Sequence, residues 1–140
     1  MTTDLCQTRA RQVMNPDVQW AEATENLRCA GERMARFGIR ALLVAGSEAS
    51  DLPGILTSKD IVNLLGAQSP AVLDQLQVGD VMTRPAICVP AESNVRDCIN
   101  LMRMSGIRRM PVLDGTEVVG VLSTSDVFAH ALAVEAAAVP

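Results

Sequence analysis

The chain is 140 residues long, 49% apolar, and carries a formal net charge of −4, which suits about one globular domain and argues against a nucleic-acid surface, where a clustered basic face is needed. Trp20, Phe37 and Phe128 are its only aromatic rings, too few to form a platform for stacked bases. No apolar run approaches the ~20 residues that span a bilayer, and the first residues lack the apolar core of a secretory signal, so a soluble, cytoplasmic protein with no membrane or nucleic-acid partner is expected.

In chain order, VQW (18–20) predicts a strand and the stretch from Thr24 to Phe37 a helix. The apolar stripe of that helix is weak at Ala30 and Gly31, where small residues either thin the core or let another element come close. ALLVA (41–45) and LPGILT (52–57) predict two more strands, and a second helix is expected from Ser58 to about Leu65. Residues 67–78 read as a linker with a short amphipathic turn. Next, AICV (86–89) predicts a strand, and Ser93 to Met104 a helix with Val95, Cys98, Ile99 and Met102 on one stripe. Gly106 is the expected stop. RMPVL (109–113) and EVVGVLS (117–123) are β-rich runs joined by Asp114-Gly115-Thr116, a hairpin signal because Asp-Gly accepts positive φ. A last helix begins near Thr124. Leu101 and Met104 lie off the main stripe, so either a partner helix or the other half of the chain covers them.

This order repeats. At a shift of 68, Met14, Leu27, Met34, Gly38 and Ile39 fall on Met82, Val95, Met102, Gly106 and Ile107; at a shift of 66, GILTSKD (54–60) falls on GVLSTSD (120–126). The chain is thus expected to be α+β (of the α/β type), with two half-domains of plan β-α-β-β-α at 8–66 and 79–135. A unit of this size buries too little core alone and must pack on its copy, so the seam between copies is where function is expected.

Little here points to catalysis. Cys6, Cys29, Cys88 and Cys98 show no CxxC spacing, and the single His130 completes no zinc pattern with them. Reduced thiols, no metal and no catalytic residue are expected. The informative pair is Thr57-Ser58-Lys59-Asp60 and Ser123-Thr124-Ser125-Asp126, each at a strand-to-helix junction. Hydroxyl-x-x-carboxylate at a helix start is a capping box. The same three features, hydroxyl, free amides and carboxylate, also describe a nucleoside phosphate site, with the amides holding phosphate and the carboxylate accepting from ribose hydroxyls. Both readings stand at this point.

The strings DVMTRPAICVPAESNVRDCINLM (80–102) and GIRRMPVLDGTEVVGVLSTSDVF (106–128) closely resemble a cystathionine-β-synthase (CBS) domain, and the first copy resembles a more divergent one. The resemblance implies a tandem CBS pair, or Bateman module, related by a pseudo-two-fold axis and binding an adenosine ligand such as AMP, ADP, ATP, S-adenosylmethionine or NAD. Carried over by motif, Asp60 and Asp126 would hold ribose hydroxyls, and Thr57 and Ser123 would meet ribose or phosphate. The backbone from Thr83 through Ile87 to Val89 would line the adenine slot. Arg108 and Arg109 stand where relatives contact phosphate, with Arg40 and Lys59 as the first copy's contributions. In the first copy Leu43 replaces Pro111, Ala41 replaces Arg109 and Asn15 stands opposite Thr83, so the two sites should differ. The resemblance further implies a homodimer, with Leu101 and Met104 as contacts, and an effector protein that reads the bound state. The alternative is a dimerising scaffold that binds no nucleotide.

Overall fold

The computed structural model describes residues 4–48 and 51–138, with side chains through 133. It divides into two compact units: a middle unit, Gln19–Ala86, and a terminal unit in which Met1–Val18 joins Ile87–Pro140.

In the middle unit, β1 (Trp20–Ala21) pairs in parallel with β2 (Ala41–Val44), which pairs antiparallel with β3 (Gly54–Thr57). Helix α2 (Leu27–Phe37) starts at Asn26, whose Oδ1 accepts from the Cys29 amide at 3.2 Å, and stops at Gly38, where φ of +65° requires glycine. It therefore begins three residues later than the Thr24 expected from pattern, because the cap sets the start. Helix α3 (Ser58–Ala67) follows β3 directly. The core gathers Leu27, Ala30, Met34, Leu42, Val44, Leu56 and Val78. At Gly31 a Cβ would lie 3.3 Å from Ile61 Cδ1, so the thin stripe serves close approach of α3 to α2. A 3-10 turn (Pro70–Asp74) lies in the linker.

The terminal unit repeats this plan with β4 (Val89–Pro90), α5 (Val95–Ser105), β5 (Arg109–Asp114), β6 (Glu117–Ser123) and α6 (Thr124–Ala138). Asn94 caps α5 and Gly106, at φ +76°, ends it. The β5–β6 hairpin turns at Gly115, φ +64°. Ala10, Val13, Val89, Val95, Cys98, Met102, Met110, Val112 and Leu122 form its core. The expected strand at 86–89 is shorter than its apolar run suggested: Ala86 gives its amide to Pro53 in the middle unit (2.8 Å), and pairing with β5 begins only at Val89.

Two four-residue helices escaped the periodicity, being too short to show one: α1 (Ala10–Val13) and α4 (Val78–Val81). They sit at equivalent repeat positions and each is held by the unit of the other copy. Ala10 and Arg11 amides donate to Ser93 and Ala91 carbonyls at 2.8 and 3.0 Å; Val78 and Gly79 amides donate to Glu25 and Ala23 at 2.9 and 2.8 Å. The compact units therefore cut across the sequence repeat, since each repeat lends its opening segment away.

Candidate functional site

Each unit builds one strand-to-helix junction. In the middle unit, β3 ends at Thr57 and α3 begins. The Thr57 amide and hydroxyl both donate to Asp60 Oδ2, at 2.8 and 2.9 Å, and the Asp60 amide donates to Thr57 Oγ1 at 3.3 Å. This is a complete capping box. Beside it, the Ser58 amide donates to the Arg40 carbonyl at 3.0 Å, and Ala41 stands opposite Thr57 in the ladder. Thr83 exchanges both backbone hydrogen bonds with Ile55 at 2.9 Å. Thr57, Asp60, Arg40, Lys59 and Thr83 thus belong to one unit, with Lys59 exposed at the helix start.

In the terminal unit, Ser123 Oγ donates to Asp126 Oδ2 at 2.8 Å and the Asp126 amide returns a bond to Ser123 Oγ at 3.1 Å. The Thr124 amide donates to the Arg108 carbonyl at 3.0 Å, and Arg109 stands opposite Ser123. Asn15 exchanges bonds with Val121 at 2.9 Å, as Thr83 does with Ile55. Ser123, Asp126, Arg108, Arg109 and Ile87 share this unit, and Ile87 is half exposed. The segment Thr83–Val89, read as one strip from sequence, is divided: Thr83 through Ala86 belong to the middle unit, Ile87 onward to the terminal one.

The two aspartates differ in engagement. Asp60 Oδ2 takes two bonds and Asp126 Oδ2 one, while Oδ1 of each accepts none from the described residues. Neither Arg40 nor Arg108 forms an ion pair among the described residues.

Sequence reasoning missed the side chain of Arg84, which falls within the strip Thr83–Val89 that was read for its backbone alone. Its Nη2 donates to the Ala45 carbonyl at 3.0 Å, and its Nε lies 3.4 Å from where a Gly54 Cβ would stand, adding a cation beside β3. Gly54 and Gly120 are a second omission. They occupy equivalent positions where Met82–Thr83 and Met14–Asn15 cross the sheet, and only the three-dimensional crossing exposes that role. Leu101 and Met104 lie on α5, 36% and 83% exposed.

Burial pushes the thiols of Cys88 and Cys98 above the usual range, which keeps both protonated and weakly nucleophilic. Among the described residues no three His, Cys, Asp or Glu side chains gather as a metal set, and no helix is long and apolar enough to cross a membrane.

The model of the CBS domain matches residues 10–67 and 78–133. Hypoxic response protein 1 of Mycobacterium tuberculosis is 28% identical over 123 residues, 88% of this chain and 85% of the relative. A crystal structure of that name with two coordinated zinc ions superposes with a TM-score of 0.70 over 88% of this chain and 98% of its own. The hexameric CBS-CP12 protein from bloom-forming cyanobacteria, 27% identical, gives 0.79 over 91% and 73%. CBSX2 in complex with AMP, 21% identical, gives 0.77 over 91% and 98%, a likeness of fold. Two matched repeats, two equivalent capped junctions and these relatives make the chain a member of the CBS-domain family, a tandem pair of the kind that serves as a regulatory module.

Proposed function

We propose that this chain is a non-catalytic sensor that binds an adenosine-containing ligand, AMP, ADP, ATP, S-adenosylmethionine or NAD, at its strand-to-helix junctions and signals the bound state to a partner protein. One observation carries the reading. At both junctions the capping aspartate spends one carboxylate oxygen on the helix start and keeps the other without a partner among the described residues, and an arginine with no ion pair among the described residues, Arg40 or Arg108, gives its backbone carbonyl to the first amide of that helix. Such a carboxylate can accept from a ribose hydroxyl, and the arginine fork can engage phosphate. Ser123, Asp126, Arg108, Arg109 and Ile87 serve one site; Thr57, Asp60, Arg40, Lys59 and Thr83 serve the other. The AMP complex of CBSX2 supports an adenosine ligand for this fold. Two copies pair through their helices, with Leu101 and Met104 at the contact; the hexameric CBS-CP12 protein supports self-association.

The test is thermal stabilisation across the five ligands. A ligand at a hundred times its dissociation constant adds about 2.7 kcal/mol to the folded state, and Asp60→Ala with Asp126→Ala should remove that gain. The complete capping box at Thr57–Asp60 and the hydroxyl cap at Ser123 favour a second reading, a dimerising scaffold with aspartates that serve only the helix starts. Unchanged melting with every ligand would select it.

A further inference from the structure

Between α5 and α6 lies an open groove of about 490 Å³, inside the ~300–1,000 Å³ range of small-ligand pockets. Ile99, Met102, Val127 and Phe128 floor it, and Arg103 and Arg108 stand in its wall. Phe128 is 68% exposed there, although covering its ring would be favourable. Among the described residues no acidic side chain lines the groove, and neither arginine forms an ion pair; Arg103 gives one long bond, 3.4 Å, to Asn100 Oδ1. An apolar floor with cations and no anion in the wall complements an apolar body with a negative head.

The repeat supplies its own control. In the equivalent groove between α2 and α3, Gly31, Glu32 and Ala35 stand where the terminal unit has Ile99, Asn100 and Arg103. The cation that lines it, Arg28, is held by Asp74 and attracted by Glu32. That groove offers an anion no spare cation. The contact proposed above at Leu101 and Met104 leaves the α5–α6 groove open, since at about 100° per residue both lie about 150° round the helix from the Ile99–Arg103 face.

We propose that the α5–α6 groove binds a free anionic amphiphile, a single carboxylate on an unbranched apolar tail. The head sits between Arg103 and Arg108, whose planar forks match a carboxylate. The tail lies over Ile99, Val127 and Phe128 and takes their exposed surface out of water. This site is separate from the adenosine reading and stands or falls without it. Arg108 is common to both, so its loss separates nothing; Arg103 belongs to the groove alone.

The experiment is isothermal titration of the full chain with octanoate, decanoate and dodecanoate, each below its micelle concentration. Binding should be one to one, and each methylene taken from water should tighten it about fourfold. Dodecyltrimethylammonium, with the same tail and the opposite charge, should bind at least about tenfold more weakly, and Arg103→Glu should weaken dodecanoate by about tenfold or more. Circular dichroism checks the fold; should Arg103→Glu fail to fold, Arg103→Gln replaces it and should weaken binding in the same direction. Thermal stabilisation by adenosine ligands, where the wild type shows it, should survive in the Arg103 variant. No binding by any of the three carboxylates, equal binding of the cationic amphiphile, or an Arg103 variant that binds as the wild type does overturns the proposal. So does dodecanoate binding that appears only when the chain is diluted to monomer, which would make a second copy the occupant.

Discussion

A Cβ added to Gly120 would stand 2.5 Å from Met14 Sδ and 2.9 Å from the Asn15 carbonyl oxygen. The thioether can swing away, but the carbonyl belongs to the backbone that pairs with Val121. Gly120→Ala should therefore destabilise the terminal unit by about 1–3 kcal/mol, as overpacking does. Gly54→Ala, where the nearest backbone atom is 3.3 Å away, should cost less. Urea denaturation of the two variants checks the order.

Loss of the two aspartates should differ in its structural cost. Asp60→Ala removes a partner of the Thr57 amide and hydroxyl, while Asp126→Ala removes a partner of the Ser123 hydroxyl alone. Caps are worth about 1 kcal/mol, so Asp60→Ala should lower the ligand-free melting temperature more than Asp126→Ala. Differential scanning calorimetry on the ligand-free variants decides this.

Arg28 holds the Asp74 carboxylate below its usual range, its hydrogen bond being the main cause. A carboxylate depressed in the folded state adds stability that is complete above its unfolded value, about 3.9, and is lost as the pH falls through the folded value. The melting difference between wild type and Asp74→Asn should accordingly be present at neutral pH and shrink below about pH 4. Both groups are exposed, so added salt should shrink it too.

The cysteines should separate by reactivity. Cys6 and Cys29 are exposed, Cys88 is partly buried and Cys98 is buried, with burial raising the last two thiols. Brief alkylation at neutral pH, followed by mass spectrometry, should modify Cys6 and Cys29 first and spare Cys98 until denaturant is added.

Helix ends and the hairpin turn were legible where one residue decides them: Gly38 and Gly106 end their helices and Gly115 turns the hairpin, each in the left-handed conformation. The pairing of β5 with β6 followed from two β-rich runs and the Asp-Gly turn that joins them. The hydroxyl-carboxylate motifs were legible as chemistry, and their capping geometry is the one the pattern demands. What pattern could not carry was partnership across long separations. Nothing local tells Ala10 that its amide will meet Ser93, or Ala86 that it will meet Pro53. Arg84 and Gly120 likewise take their roles from segments that cross them in space.

That exchange of opening segments orders the birth of the molecule. A ribosome that has delivered residues through Ala86 has released every part of the middle unit, whereas the stretch ending at Val18 emerges before it and must wait for residues beyond Ile87 before it finds its seat. Severing the gene between the copies would accordingly leave both pieces short of a segment that the other one carries.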